Sequence, residues 1–409
     1  MHILLITTNY PPEIGGAPHL CHALALNLKA RGHDVAVLTS YPSYNVKVVP
    51  SQYRRGLWIN ETLDDIPVQR IRIPMLPRTS TIARGVQHFL YGLWLSVLAM
   101  FAPRADIALV VSPPLPLSWL VCWIGRVRRM PVVINIQDLF PREAVELGML
   151  TNPMLIRMFE AMEREIHRLA AGVTVHSPGN REHVIQHGGQ PGRVHLVYNW
   201  VDTEHIRPGG RNNGFAQQHG LQDRFVVSYA GTMGWAQDMQ TIISSAARLR
   251  DHLDILFLLV GDGVGKEKAQ TRSLELGLNI KWLPIQPWSV YPEVLAASDI
   301  SLINLHPGLH TPVVPSKLLS IMSAGRPVVA SLPLESDARQ IVSEANCGIC
   351  VEAGDDEALA SAILNLYANR SLAREMGQRG RAYAETHFSC QACISQMETI
   401  FKEIIGEIQ

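Results

Sequence analysis

Short apolar runs of strand length alternate with segments in which apolar residues recur every three to four positions. In the first 200 residues the predicted strands are His2–Thr7, Val35–Thr39, Val68–Ile73, Ile107–Val111, Pro131–Ile136, Gly172–His176 and Val194–Val197. Helical patterns occupy most of the intervals between them, as in Leu20–Leu28, Phe89–Ala102, Leu117–Gly125 and Ile156–Leu169. This order of elements predicts a doubly wound parallel sheet, whose ligands bind at the carboxyl ends of the strands.

The same alternation starts again after Arg207–Gly214, a polar, glycine-rich segment. Its predicted strands are Phe225–Tyr229, Ile255–Val260, Ile280–Leu283, Ser301–Asn304, Val328–Ala330 and Cys347–Val351. We predict an α/β protein with two Rossmann-like domains that face each other across a cleft. The first comprises residues 1–200, with the C-terminal helix 389–409 packed back on it, and the second comprises residues 201–388.

The most sharply bounded helix lies within Thr311–Leu332. Pro315 suits its first position and Gly325 its end, so Ser316 and Lys317 are predicted in the first turn. A lysine there opposes the helix macrodipole at a cost of about 0.3–1 kcal/mol, unless an anion such as a phosphate binds to the free N–H groups. A solvated lysine that points away from the helix end is the alternative.

Glycine-bearing loops follow several predicted strands. They are Gly15-Gly16, Gly231-Thr232 and Gly261-Asp262-Gly263. None matches a dinucleotide fingerprint or a P-loop, and a simple turn is the alternative interpretation of each. Together with the turn at Lys317, the loops of the second half present N–H groups at strand ends, which favours a nucleotide diphosphate ligand.

Gln137 and Asp138 follow the predicted strand Pro131–Ile136, at the edge where a doubly wound sheet binds ligands. A carboxylate at this position suits the orientation of a substrate hydroxyl. It equally suits the cap of the next helix, and the sequence leaves both interpretations open.

Charge is balanced over the 409 residues, with 36 basic and 36 acidic side chains, but it is unevenly distributed. Residues 1–200 hold 19 basic and 13 acidic side chains, and residues 47–129 hold 11 and 4. This excess indicates either an anionic surface or partner for that region or an ordinary solvated face. We expect no nucleic acid partner.

The six cysteines include two C-x-x-C pairs, Cys347/Cys350 and Cys390/Cys393. A spacing of three in a strand places the first two thiols on opposite faces, so we expect buried cysteines and no zinc site. No HExxH motif or carboxylate cluster with metal spacing is present, so no metal is expected. The amino terminus lacks a basic start before its apolar run, which predicts a cytoplasmic chain.

A charge-free helix, Phe89–Ala102, is shorter than the roughly 20 residues that cross a bilayer. It is either a core helix or, with Arg78, Arg84 and Arg104 flanking it, a helix that rests in a membrane interface. The longer charge-free run Ile107–Gly125 is interrupted by prolines, which argues against a span.

An ordered set of motifs covers nearly the whole chain: NYPPEIGGAP, RGHDVAVLTS, INIQDLFPREAVELGML, VYNWVD, VSYAGTMGWAQDM, LLVGDGVGKEK and VPSKLLSIMSAGRPVVAS. In these motifs the sequence resembles glycosyltransferase family 4, which consists of retaining enzymes with the GT-B fold. The NWVD and VPSKLL segments look most like the bacterial exopolysaccharide and O-antigen subgroup, which includes colanic acid and fucosamine transferases.

The resemblance implies a UDP-linked sugar bound to the second domain. It implies that Gly231 and Thr232 meet the diphosphate, that Gly261, Asp262 and Gly263 lie near the base, and that Ser316 and Lys317 bind phosphate. It further implies that Gly15 and Gly16 meet the phosphates and the acceptor. Asp138 falls beside the position, often a histidine in the family, that faces the donor sugar, and Gln137 holds that position here.

Two departures from the family pattern concern charged residues. The positions of two family glutamates hold Pro312 and Ser320, and the basic residue usual after the first glycine loop is replaced by Trp235-Ala236-Gln237. Ser320 keeps a hydroxyl for a ribose, and Lys317 becomes the main candidate cation for the leaving diphosphate.

We therefore expect a metal-independent, retaining hexosyl- or N-acetylhexosaminyltransferase without a cofactor. It moves sugar from a UDP-sugar to a lipid-linked oligosaccharide in cell-surface polysaccharide biosynthesis, as a peripheral protein at the inner face of the plasma membrane. The alternatives are a UDP-sugar epimerase of the same two-domain plan and a non-catalytic assembly protein that binds nucleotide sugars.

Overall fold

The computed structural model describes residues 1–13, 15–42, 50–54, 56–74 and 81–408. Contacts divide the chain into two units, Met1–Asn199 with Cys390–Gln409, and Trp200–Ser389. Each unit is built on a largely parallel sheet with helices in the connections, which confirms the predicted α/β fold. Of the arginines expected to flank Phe89–Ala102, Arg78 and the side chain of Arg84 lie outside the described residues.

The sheet of the first unit has eight strands in the order β3-β4-β2-β1-β5-β6-β7-β8. They are β1 (His2–Ile6), β2 (Asp34–Ser40), β3 (Trp58–Leu63), β4 (Ile66–Ile71), β5 (Ile107–Ser112), β6 (Val132–Ile136), β7 (Gly172–Val175) and β8 (Val194–Leu196). Its helices are α1 (Gly16–Ala30), α2 (Thr81–Phe101), α3 (Leu115–Arg128), α4 (Arg142–Glu146), α5 (Pro153–Leu169) and α6 (Pro178–Gln186). All pairings are parallel except the β3–β4 hairpin.

Strand β3 and helix α6 are absent from the sequence prediction. The strand alternates half-buried and exposed residues without an apolar run, and its hairpin turns through Asp64 and Asp65, both at positive φ. Helix α6 lacks a clear apolar face and is fixed locally by Pro178 in its first turn and by the Ser177 hydroxyl, which accepts from Asn180 N–H. Both elements escape an analysis that rests on hydrophobic periodicity.

A buried cation joins the hairpin to the loop after β1. Arg70 on β4 pairs through Nε with Oε1 of Glu61 on β3 at 2.5 Å, and its side chain is 1% exposed. The same guanidinium donates to the carbonyl oxygen of Ser40, at 3.3 Å, and to that of Pro11. Arg70 therefore holds the segment that leads to Gly15 and Gly16.

The C-terminal helix α15 (Cys390–Ile408) packs on the first unit. Oε2 of its Glu398 accepts from Nη1 of Arg31, the residue directly after α1, at 3.1 Å. Oε1 of Glu398 lies 3.2 Å from Nε2 of His33. A Cβ added at Gly172 on β7 would lie 2.7 Å from Cδ1 of Ile404, so the helix touches the strand backbone itself.

The second unit contains a six-stranded parallel sheet in the order β11-β10-β9-β12-β13-β14. The strands are β9 (Phe225–Ala230), β10 (Ile255–Val260), β11 (Ile280–Leu283), β12 (Ile300–Asn304), β13 (Val328–Leu332) and β14 (Gly348–Glu352). The helices are α7 (Gly214–His219), α8 (Met239–Arg248), α9 (Lys266–Glu275), α10 (Tyr291–Ala296), α11 (Ser316–Ser323), α12 (Asp337–Glu344), α13 (Asp356–Ala368) and α14 (Arg370–His387). The central strands β9 and β10 are buried along their whole length.

Candidate functional site

Two glycine loops pack against each other at the carboxyl ends of β9 and β10. Gly231 N–H donates to the carbonyl oxygen of Val260 at 2.9 Å, and Met233 N–H donates to that of Asp262 at 2.9 Å. A Cβ at Gly261 would overlap the carbonyl oxygen of Gly231, and one at Gly263 would overlap that of Met233. Glycine is therefore required for this close approach, and the two loops form one surface.

Lys317 lies on this surface, in the first turn of α11. The methylene stem of Lys317 covers Gly231, where an added Cβ would strike Cε of the lysine, and Gly231 has φ 147°. Its ammonium stands 5.0 Å from the centroid of the Tyr229 ring. The lysine is half-buried, and its stem lies on Gly231 instead of extending into solvent.

Helix α11 begins one residue later than predicted. Pro315 precedes it with φ −61° and ψ 129°, an extended conformation, and Ser316 is the first helical residue. The first-turn N–H groups of Ser316 and Lys317 have no carbonyl acceptor within the helix, and no side chain caps it. No acidic residue occupies that first turn. The helix end is therefore positive and open to an anion.

Desolvation lowers the pKa of Lys317 from 10.5 to about 8. Within the described residues, no carboxylate approaches its ammonium within ion-pair distance. A crowded ammonium with no counter-charge is costly unless a ligand supplies one. The arrangement suits a bound di- or monophosphate better than a neutral ligand.

The other predicted residues of the second unit surround this surface. Thr232, Asp262 and Ser316 are exposed, and the Asp262 carboxylate accepts from Gly263 N–H at 2.9 Å. Ser320, one turn after Lys317, hydrogen-bonds the Tyr291 phenol, whose pKa burial raises to about 12. Pro312, which holds the position of the other family glutamate, is buried.

Lys266 is a residue to which the sequence analysis assigned no role. Its ammonium donates to the carbonyl oxygen of Gly261 at 2.9 Å and so braces the second glycine loop. The signal was present in the sequence, because the lysine directly follows the run Gly261–Gly265 at the start of α9. Trp235, where family members carry a basic residue, is 61% exposed.

Gln137 belongs to an amide network at the end of β6 in the first unit. Its side-chain oxygen accepts from Nδ2 of Asn199 at 2.8 Å, and its Nε2 donates to Oδ1 of Asn199 at 3.1 Å and to Oδ1 of Asn135 at 2.5 Å. Asn135 in turn donates to the Thr174 hydroxyl on β7 at 2.9 Å. The network fixes the orientation of the Gln137 side chain, because both the oxygen and the nitrogen of its amide are hydrogen-bonded.

Asp138 is exposed and caps no helix, because the N-cap position of α4 is Pro141. The capping alternative is therefore wrong. Crowding by protein atoms raises the pKa of Asp138 although its surface is accessible. Burial first, and then the charges of Asp138 and Glu146, raise the pKa of Glu143, a neighbour the sequence analysis did not single out. Two neighbouring carboxyl groups with raised pKa values indicate a site that can hold a proton near neutral pH.

Gly15 and Gly16 lie at the start of α1, which follows the loop after β1. No side chain caps this helix, and no acidic residue lies in its first turn. They share the first unit, and the carboxyl edge of its sheet, with Gln137 and Asp138. The other predicted site residues belong to the second unit.

Comparisons with known proteins match both halves of the chain. Residues 15–200 match the family described as glycosyl transferase 4-like domain, and residues 213–383 match glycosyl transferases group 1. A protein of Escherichia coli K12 named as a colanic acid biosynthesis glycosyl transferase, WcaI, is 25% identical over 395 residues, 93% of this chain and 96% of that protein.

Solved structures of low sequence identity share the fold. Anabaena HepE in complex with UDP and glucose has a TM-score of 0.74 at 18% identity, covering 98% of this chain and 100% of that one. Sucrose-phosphate synthase from Thermosynechococcus elongatus has a TM-score of 0.75 at 17% identity, covering 99% of each chain. These likenesses concern the fold, and the roles of the individual site residues stay predictions.

Proposed function

Because the chain belongs to the glycosyltransferases that join a 4-like domain to a group 1 domain, we propose that it moves a sugar from a UDP-sugar to a lipid-linked oligosaccharide. The proposed product belongs to a cell-surface polysaccharide. WcaI, named for colanic acid biosynthesis, and the HepE complex with UDP and glucose support the choice of pathway class and donor. The transferred sugar is a hexosyl or N-acetylhexosaminyl group in this proposal.

One observation carries the proposal: the crowded Lys317 ammonium with no carboxylate partner among the described side chains. Its lowered pKa corresponds to a cost on the order of 3 kcal/mol for the charged form. A donor diphosphate placed against Lys317 and the first turn of α11 would supply the missing negative charge. The neighbouring glycine loops bring backbone close enough to contact the same ligand.

We propose that this positive site acts on the leaving group. The bond from the anomeric carbon to the β-phosphate oxygen breaks, and the departing UDP gains negative charge that Lys317 and the N–H groups stabilise. The acceptor hydroxyl attacks the same face of the sugar, which retains its configuration, and its proton passes to the departing phosphate. This sequence of events requires no metal and no cofactor.

In the first unit, we assign Gln137 and Asp138 to the donor sugar and the acceptor. The amide of Gln137 is held by Asn199 and Asn135 and is thus oriented before substrate binds. Asp138 is exposed, with a raised pKa, and is proposed to hydrogen-bond a sugar hydroxyl. Gly15 and Gly16 are proposed to contact the donor phosphates or the acceptor.

The test is the release of UDP from a panel of UDP-sugars, with and without lipid-linked saccharide acceptors, in the presence of EDTA. We expect release that depends on the acceptor, with a glycosylated product of unchanged anomeric configuration. An isomerised donor without acceptor would instead identify an epimerase. Binding of UDP-sugar without any turnover over the acceptor panel would identify an assembly protein.

We further propose that an apolar face of the first unit contacts the inner surface of the plasma membrane. It is formed by large apolar side chains of α2, α3 and α5 that are at least 37% exposed: Val86, Phe89, Leu93, Trp94, Val97, Met100, Phe101, Trp123, Val127, Met154, Leu155 and Met158. Exposed arginines lie on or just after the same helices: Arg104, Arg126, Arg129 and Arg157. Exposed apolar side chains on helices that also carry arginines suit the interface of an anionic bilayer.

Among the helices that the structure describes, none has an apolar stretch of the length that a bilayer span requires. The sequence left open whether Phe89–Ala102 is a core helix or a helix that rests in a membrane interface. Helix α2 has features of both, since Leu95 and Ala99 are buried in the core while Leu93 and Phe101 are exposed. The exposed face therefore supports a peripheral contact.

We expect the protein to float with vesicles that contain phosphatidylglycerol and to stay in the soluble fraction with purely zwitterionic vesicles. Leu93→Glu with Phe101→Glu should reduce flotation at least 10-fold, because each carboxylate must enter the interface beside anionic headgroups. Leu253→Glu, at a leucine 72% exposed in the second unit, is the matched control and should float like the parent. A parent protein that never floats would contradict the membrane contact.

A further inference from the structure

Three side chains with metal-binding atoms converge between α5 and α6 in the first unit. Glu163 on α5, His183 on α6 and His187 directly after α6 each offer one atom, and these atoms lie within 4.8 Å of one another. Glu163 and His183 are buried, and His187 is half-buried. Histidines four residues apart lie on one face of a helix, so both rings face the carboxylate of the neighbouring helix.

One hydrogen bond to a carbonyl group fixes the ring of His187, and a second one holds its backbone. Its Nδ1 lies 2.8 Å from the carbonyl oxygen of His183. Because a carbonyl oxygen can only accept a hydrogen bond, Nδ1 holds the proton in the neutral ring and Nε2 holds the lone pair. His167, one turn after Glu163, donates from Nδ1 to the carbonyl oxygen of His187 at 3.0 Å. Metal-binding histidines are commonly oriented in this way by carbonyl partners.

The ligand atoms are close enough to share one ion once the imidazole rings turn out of their stack, because each nitrogen lone pair lies in the plane of its ring. Nε2 of His183 lies 3.0 Å from Oε1 of Glu163, and the rings of His183 and His187 stack with centroids 3.9 Å apart. Zinc bonds of about 2.0–2.1 Å place two ligands about 3.4 Å apart. A simple ion pair explains the contact between Glu163 and His183, but it gives no reason for a second imidazole at the same point.

We propose that Glu163, His183 and His187 bind a divalent ion of the zinc class. Two imidazole nitrogens and one carboxylate are a ligand set that suits Zn²⁺, with a fourth position left for water. Helix α6 starts at the carboxyl end of β7, so His187, after its last turn, lies toward the opposite edge of the sheet from Gln137 and Asp138. The ion joins α5 to α6 and takes no part in the proposed transfer.

The cysteines, the lack of an HExxH motif and the lack of carboxylate clusters led to the expectation of no metal. The signal that was missed is the H-x-x-x-H spacing of His183 and His187. The third ligand comes from a helix twenty residues earlier in the chain, so only the packing of α5 on α6 completes the set.

Protein stripped with EDTA and then titrated with Zn²⁺ tests the proposal by calorimetry and thermal unfolding. We expect one equivalent to bind and the melting temperature of the first unit to rise by roughly 5–10 °C when free Zn²⁺ is about 100 times Kd. His187→Ala and Glu163→Gln should weaken binding at least 100-fold. Glu163→Gln keeps a hydrogen-bonding group of the same size, so it tests the ligand without opening a cavity.

His252→Ala removes an exposed histidine of the second unit and should bind Zn²⁺ like the parent. An unchanged affinity in His187→Ala, or the absence of stoichiometric binding in the parent, would overturn the site. Loss of UDP release on treatment with EDTA, at a temperature where the stripped protein stays folded, would overturn the assignment of the ion to structure alone. Neither result depends on which donor or acceptor the protein uses.

Discussion

Lys317→Met should lower kcat for UDP release at least 100-fold and leave the fold intact. Removal of one preorganised donor to a developing anion typically costs 10²- to 10³-fold in kcat, and the stem of Lys317 lies directly on Gly231 of the glycine surface. The free energy of unfolding near neutral pH should not fall, because methionine removes a desolvated charge and fills a similar volume. Steady-state kinetics and urea unfolding check the two parts separately.

The matched control is Lys268→Met, at an exposed lysine of α9 in the same unit, which should retain the parent kcat. If Lys317→Met turned over at the parent rate, Lys317 would have no part in catalysis. If both variants lost activity equally, the net charge of the unit rather than one ammonium would be responsible.

The pH dependence of kcat/KM tests independently whether activity requires the charged form of Lys317. The pKa of Lys317 is lowered to about 8, so the free protein holds the charged form below that pH and loses it above. We expect kcat/KM to fall as pH rises through about 8, approaching tenfold per pH unit. In Lys317→Met this fall of kcat/KM at high pH should be absent. A fall that persists in the variant would have to come from the titration of another group.

Arg70→Met should lower the free energy of unfolding of the first unit by about 3 kcal/mol. The substitution leaves the Glu61 carboxylate without its cation, and it removes the donors to the Ser40 and Pro11 carbonyl groups. Urea unfolding measures the loss, and hydrogen exchange of peptides that contain β4 assigns it to the first unit. The loop after β1 should also exchange faster, since the guanidinium holds it.

The double variant Arg70→Met with Glu61→Leu separates the two causes. Replacing both partners of a buried pair by apolar groups is often near neutral, so the double variant should regain at least half of the lost stability. Arg250→Met, which breaks an exposed pair with Asp251, should change stability little. A double variant no more stable than Arg70→Met would show that the carbonyl contacts, rather than the ion pair, provide the stabilisation.

The sequence by itself determined the elements whose signals are local. Strands Ile255–Val260 and Ile280–Leu283 have the predicted bounds, and Lys317 lies in the first turn of its helix as predicted. Strand runs, proline and glycine boundaries and the order of the elements all act within a few residues of chain. They are therefore enough to predict two parallel-sheet domains, and the predicted fold is confirmed.

Tertiary structure alone decided where the charged and polar side chains go. Gln137 meets Asn199 across 62 residues, and the stem of Lys317 covers Gly231 on another strand end. His183 meets Glu163 only because α5 packs beside α6. Such contacts depend on sheet order and helix packing, which bring distant residues together at distances that no spacing along the chain encodes.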